Sequence, residues 1–313
     1  MLRFVLMRLA SALPTLLGMS FVAFAIVALA PGDPITQELR TFGVVPTPED
    51  LAALKAQYGL DKPFFERYFL WLLRALQFDF GDSIASGRPV MTEIGLHLPA
   101  TLLLSLTSLA GAIGLSLFFG IAAVSTGTVA AGLLRALTIL LVSVPSFWLA
   151  LVLIYVFVLN LGWARLVGDG RWHDLILPAL TLSLGAGATL GRVVRERIRS
   201  EMCQDYVRLA IAKGVPPSTI LVRHITPQII GPLATAWAST FGALLGGAVI
   251  VESIFGWPGL GQLILQAIGQ RDYPVIQAYL ILGGLIFFIT SFIADFVVTL
   301  ADPQLKRKLR HGR

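Results

Sequence analysis

Charge is scarce in this chain of 313 residues: Asp, Glu, Lys and Arg make up 13% of it, about half the share found in a soluble domain. Cysteine is nearly missing. Cys203 stands alone, which excludes an internal disulfide framework and a cysteine-based metal cluster. There are four histidines and no paired ligand spacing, so His97 and His173 read as interfacial or hydrogen-bonded side chains and no metal site is assigned. None of the five lysines is followed by Ser or Thr, so the chain has no G-x-x-x-x-G-K-[ST] phosphate loop. No convergent Ser/His/Asp, HExxH or Cys/His set points to catalysis.

What is present is apolar length. Hydrophobic residues make up 56% of the chain and mean hydropathy is +0.80. Six runs approach the roughly 20 residues that cross a bilayer: about Leu9–Ala30, Leu98–Val124, Leu134–Leu161, Leu175–Gly191, Ile229–Val251 and Val275–Leu300. They predict an all-α membrane protein with six transmembrane helices and both termini on one side. The first run reads as a retained anchor. It is longer than a signal-peptide core, and Pro31 would follow the apparent cleavage site at Ala30.

Basic residues orient the bundle. Fifteen of the 24 fall at one end, from Arg3 and Arg8 through Arg135, Arg192, Arg195, Arg197 and Arg199 to the tail after Asp302, against five acids. That end reads as cytoplasmic by the positive-inside rule, which accounts for the charge of +6 without a nucleic-acid partner. The expected organisation is a cytoplasmic end and first span over 1–30, an extracytoplasmic loop over 31–97, a five-helix core over 98–300 and a basic cytoplasmic tail over 301–313. Within the outer loop, Thr47-Pro48-Glu49-Asp50 has the pattern of a helix start, ended by Gly59. A second helix from Pro63, "PFFERYFLWLLRALQF", is too charged and short to span, and is expected along the outer surface or packed on the bundle. "LPATLLLSL" from Leu98 and "LPALTLSLG" from Leu177 both place Pro where a first helical turn tolerates it.

One stretch resists a membrane explanation: "RLAIAKGVPPSTILVRHITPQIIGP", Arg208 to Pro232. Arg192 to Lys213 has no Gly or Pro and is expected to continue the fourth span as a helix. Gly214 suits the left-handed residue that ends it. Pro216 or Pro217 restarts a short helix, and Pro227 interrupts it. A solvated loop needs no such punctuation, and rarely carries Ile211, Ile220, Leu221 and Ile225 among its charges. The pattern favours a short amphipathic helix offered to a groove in another protein.

This stretch resembles the "EAA" loop of permeases in the dipeptide, oligopeptide and nickel ABC importer family. Ala210 matches its second alanine, Gly214 its glycine and Pro227 its proline, while Arg208, Leu209, His224 and Thr226 depart from the strict consensus. "DYVRLAIAKG", "APGDP", "YGLDKPF", "DFGDSIASGRPV", "ESIFGWPGLGQL", "RDYPVIQ" and "ADPQLK" extend the resemblance over nearly the whole chain. It implies a type I importer permease fold, with the first span outside the five-helix core, in a bacterial-type inner membrane. It also implies a second, distinct permease, two ATPase subunits holding ATP and Mg, a substrate-binding protein outside, and no cofactor on this chain. The ATPase-coupling loop, within 192–227, would use Asp205, Ala210, Lys213, Gly214, Ser218, Arg223, His224 and Pro227. Gly242, Gly246, Gly247, Glu252 and Trp257 are candidates for the path or an outer gate; for the glycines helix packing is the favoured reading, Gly242 and Gly246 forming a G-x-x-x-G. Peptides, nickel and nickel chelates remain open as substrates. The contrasting reading is an ion-gradient carrier, for which Asp295 is the one intramembrane acid of note; a structural cap is its other role.

Overall fold

The computed structural model describes residues 2–29, 62–125, 127–163 and 174–301. The helix expected between Thr47 and Gly59, His173 and the tail from Asp302 lie outside these residues. The described residues are helical, with only an isolated bridge between Asp82 and Pro89. In chain order the elements are α1 (Leu2–Leu29), α2 (Phe64–Ala75), α3 (Val90–Ser125), α4 (Thr128–Ser143), α5 (Ser146–Leu153, continued as a π-helix over Ile154–Asn160), α6 (Ile176–Met202) and α7 (Asp205–Ala212). An elbow (Pro217–Thr219, then a π-helix over Ile220–Ile225) leads into α8 (Thr226–Phe255), α9 (Leu260–Gln270) and α10 (Tyr273–Ala301). Five are long and apolar enough to cross a membrane, or six if α4 with α5 counts as one span.

The chain divides into two compact units. In the first, 1–98 with 263–288, α2 packs on α1 through aromatic edges. Phe24 meets Phe64 and Tyr68 at 5.3 and 5.6 Å between ring centroids, and Ser20 Oγ lies 2.9 Å from Tyr68 Oη. Pro63 precedes α2 and Glu66 sits in its first turn, where an acid complements the helix dipole. The following loop is closed by Ser83 N–H on Arg88 O and Val90 N–H on Gly81 O. It is pinned by Asp272, whose carboxylate accepts from Ser83 Oγ at 2.5 Å and from Ala85 N–H at 3.3 Å.

The second unit, 99–262 with 289–313, holds the main core. Leu104, Ala150, Leu182, Leu244, Ala248, Val251 and Phe255 are buried there together. Two glycines of α6 let it approach α3 closely. A Cβ on Gly187 would stand 2.6 Å from Leu115 Cβ, and one on Gly191 2.8 Å from Phe119 Cβ. Gly187 and Gly191 thus form a close-packing G-x-x-x-G between α6 and α3. Gly246 has no atom within 4 Å of such a Cβ, and Gly247 meets only Leu182, at 3.7 Å.

Three expectations need correction. The run Leu134–Leu161 is two helices bent by 105° at Val144–Pro145. Val144 is extended at ψ 124°, as a residue before proline prefers, and Pro145 then opens α5. The run starting at Leu98 begins eight residues earlier, at Val90, so Pro99 lies inside α3; Pro178 does fall in the first turn of α6. Finally, α6 does not run on to Lys213. It stops at Met202, and Gln204 is extended at ψ 149°.

Candidate functional site: the basic elbow and the capped turn of α8

The break at Gln204 has a packing cause. Along a straight helix, Val207 would lie about two and a half turns beyond Ile198, on the opposite face. The turn brings both into one apolar knot with Val194, Ala210, Ile220, Ile225, Ile229 and Leu233. Full burial of one such valine or isoleucine is worth about 1.5–3 kcal/mol, so the knot holds the elbow in place. At the break, Tyr206 Oη donates to Glu201 Oε2 at 2.6 Å. Burial, then that hydrogen bond and the charge of Glu201, push the phenol up to about 12.

α7 ends in a paired hydrogen-bond cap. Val215 N–H donates to Ala210 O at 3.1 Å and Gly214 N–H to Ile211 O at 2.9 Å, with Gly214 at φ +75°. This is the Schellman arrangement, and its apolar contact is supplied by Val215 packed on the knot around Ala210. Pro216 then opens the elbow, where Ile220 N–H donates to Pro216 O at 3.0 Å.

Pro227 does not end the elbow, as its missing N–H suggests it should. The preceding turn is π-helical, and both the N–H and the hydroxyl of Thr226 reach Leu221 O, the hydroxyl at 2.9 Å. The wider turn accommodates the proline ring, so the elbow passes directly into α8. No spacing rule for α-helices would have shown this.

At its other end α8 closes on a glycine turn, Gly256 at φ +62°. Trp257 is 2% exposed and donates Nε1–H to Ala100 O at 2.9 Å, while Leu260 N–H donates to Thr101 Oγ1 at 2.7 Å. Glu252 is fully buried and accepts from Gly261 N–H at 2.6 Å. A Cβ on Gly259 would collide with the Glu252 carboxylate. The glycines of "GWPGLG" are thus what allow the turn to wrap around that side chain.

Between these ends a cleft of about 380 Å³ opens among α4, α5, α6 and α8. Ser146, Thr181, Thr189 and Thr240 line it with apolar neighbours, and among the described residues no charged side chain does. The hydroxyls of Thr181, Thr189 and Thr240 donate to carbonyls of their own helices at 2.8, 3.0 and 2.8 Å. Each therefore still offers an acceptor lone pair.

Residues 112–307 match the family described as "Binding-protein-dependent transport system inner membrane component", and residues 1–107 match the corresponding N-terminal family. The chain belongs to this family. It is a permease subunit of the ABC importer class. The "Glutathione transport system permease protein GsiC" of Salmonella typhimurium strain LT2 is 35% identical over 309 residues, covering 98% of this chain and 100% of the relative. The protein of that name from Escherichia coli strain K12 has the same identity and coverage. In fold, the permease is similar to a chain of the "MetNI methionine ABC transporter" in inward-facing form. The TM-score is 0.58 at 19% identity, covering 68% of this chain and 97% of that one. A chain from an "amino acid ABC transporter with histidines" gives 0.52 at 18% identity, over 69% of this chain and 94% of the other.

The residues singled out in the permease's sequence divide by burial. Asp205, Lys213, Gly214, Ser218, Arg223 and Pro227 are exposed on α7, the elbow and the start of α8; His224 is half-buried, and Ala210 faces the knot. Leu209, Ile211 and Val222 share the exposed surface, each more than half accessible. Of the outer candidates, Gly247 lines the cleft, Glu252 and Trp257 lie inside the capped turn, and Gly242 is half-buried. The hydroxyls of the cleft escaped sequence reasoning, because isolated Ser and Thr in apolar helices also satisfy their own backbone.

Proposed function

We propose that this permease imports short peptides, and that it is driven through the surface formed by α7 and the elbow. The observation that carries this reading is that Leu209 and Ile211 on α7 and Val222 on the elbow are exposed, while both elements are clamped by the apolar knot. Apolar side chains held rigidly in a charged surface suit insertion into a partner's groove. The partner in this reading is a separate ATPase subunit, two per assembly, holding the ATP and Mg. The basic end and both termini face the cytoplasm, consistent with the charge bias. A second, distinct permease completes the path, and a binding protein delivers substrate outside. The permease itself binds no cofactor. The peptide class is supported by the name of the glutathione permeases that it resembles over their full length. The neutral hydroxyl-lined cleft, with Gly247 at its wall, is the candidate path in this reading, and Gly242, Gly246, Glu252 and Trp257, elsewhere on α8 and its capping turn, are its candidate outer gate.

The test is reconstitution of the full assembly in vesicles, with uptake of labelled glutathione, di- and oligopeptides, free nickel and chelated nickel measured with and without ATP. Peptide uptake that requires ATP is the expected result, and Ile211→Asp should abolish it together with ATPase association. Uptake that persists without ATP would instead indicate an ion-gradient carrier. Uptake confined to nickel would move the substrate to the metal branch.

A further inference from the structure

At the basic end of the second unit, a shallow crevice opens where α3, α4 and α6 meet. Its floor is apolar, with Phe119, Ala123 and Leu134, and its rim carries Arg135, Arg192 and Arg195. No acidic residue lines it among the described residues. Among the described residues, no carboxylate pairs with any of the three guanidinium groups. Arg195 Nε is buried and makes no hydrogen bond. Three like charges around one depression repel one another, and a buried guanidinium N–H without an acceptor carries a desolvation penalty. Both are relieved by an anion at the mouth. The enclosed space is about 10 Å³, enough for one oxygen-sized atom.

Depth and surroundings identify what supplies that oxygen. Measured from Ile176, Arg192 and Arg195 lie about 24 and 28 Å along α6, near the far margin of a hydrocarbon layer about 30 Å thick. Beside Arg135, the same helix exposes Leu133, Leu137 and Leu140. A phosphate held at the rim would therefore have acyl chains lying along an apolar helix face, which a soluble anion lacks. We infer that Arg135, Arg192 and Arg195 seat the phosphate of an anionic phospholipid from the leaflet at this end. Guanidinium groups hold phosphate oxygens through paired N–H donors, and basic pockets between membrane helices are suited to such headgroups. Gly191 contributes by keeping α3 and α6 close enough to form the crevice. Placing this end in the cytoplasmic leaflet rests on the orientation proposed above.

The experiment is native mass spectrometry of the full chain, purified with its co-eluting subunits and equilibrated with equal amounts of phosphatidylglycerol and phosphatidylcholine. Wild type should retain phosphatidylglycerol in preference. Loss of each arginine should weaken retention about fivefold, so Arg192→Gln with Arg195→Gln should lower it about 25-fold. Arg192→Lys with Arg195→Lys should restore part of the preference, because the charge remains. Arg197→Gln with Arg199→Gln, exposed positions outside the crevice, should leave it unchanged. Equal retention of the two lipids, or an unaltered Arg192→Gln/Arg195→Gln double variant, overturns the inference. Displacement by millimolar inorganic phosphate would make this a soluble-anion site, and loss of co-eluting ATPase from the same double variant would make it a subunit interface; either result also overturns it. Lipid retention is read on the permease mass itself. A chain that keeps its lipid but recruits no ATPase therefore refutes the coupling proposal alone.

Discussion

Substitution of Gly214 separates backbone geometry from side-chain contact. The residue sits at φ +75°, and an added Cβ would meet nothing within 4 Å. Any cost of substitution is therefore conformational strain. Alanine in the left-handed region costs about 1 kcal/mol, a β-branched residue such as valine more, about 2 kcal/mol, and asparagine only a fraction of either. These values shift the population of the closed turn by factors of about 5, 30 and less than 3. The local readout is hydrogen exchange at the amide of Val215, whose bond to Ala210 O at 3.1 Å exists only while the turn is closed. Protection should fall in the order Gly214→Asn, Gly214→Ala, Gly214→Val, by those factors. In the reconstituted assembly, substrate-stimulated ATP hydrolysis should fall in the same order. If asparagine proves worse than alanine in both assays, the left-handed cap is not what the glycine provides, and the account of the elbow fails.

Three further outcomes are expected. Trp257→Phe removes the indole donor to the carbonyl of Ala100, a net loss of about 0.5–1.5 kcal/mol, visible as a lowered thermal midpoint in detergent. Gly259→Ala forces a methyl group against the Glu252 carboxylate and should cost about 1–3 kcal/mol, whereas Gly246→Ala, with open space around it, should be neutral or slightly stabilising by the same measurement. Tyr206 should keep its proton through neutral and moderately alkaline pH. Its folded value is raised above the ordinary 10.0, so the contribution of the bond to Glu201 is whole below about 10 and is lost as pH rises toward 12. The tyrosinate absorbance removed by Tyr206→Phe should accordingly appear near 12, and its appearance near 10 would contradict the hydrogen bond.

Much of this architecture was legible because membrane physics leaves large signals. Apolar length locates the spans, and the glycine at 214 with the prolines at 216 and 217 punctuates the elbow. What stayed hidden depends on partners distant in sequence. The fold of α6 back into α7 follows from burying Val207 beside Ile198, and nothing between Arg192 and Lys213 announces it. The signal at Val144–Pro145 was present in the proline, yet long apolar runs on both sides made one straight span the simpler expectation. The sequence pointed to the G-x-x-x-G of Gly242 and Gly246; the close contact made at Gly187 and Gly191 shows only once a neighbouring helix is in place. Glu252 and Trp257 read only as candidates for the path or an outer gate, because the turn that encloses them is built from residues that follow.

The direct passage of the elbow into α8 has a mechanical consequence. A helix of 30 residues is a beam about 45 Å long, seated at one tip in the knot around Ile225 and Ile229 and at the other in the turn locked by Trp257. No loop between them can absorb a push. A tilt of about 5° imposed at the basic tip would carry the far tip by about 4 Å, more than the reach of the hydrogen bond to Ala100, so force applied at that tip must either swing that bond's whole neighbourhood or break it.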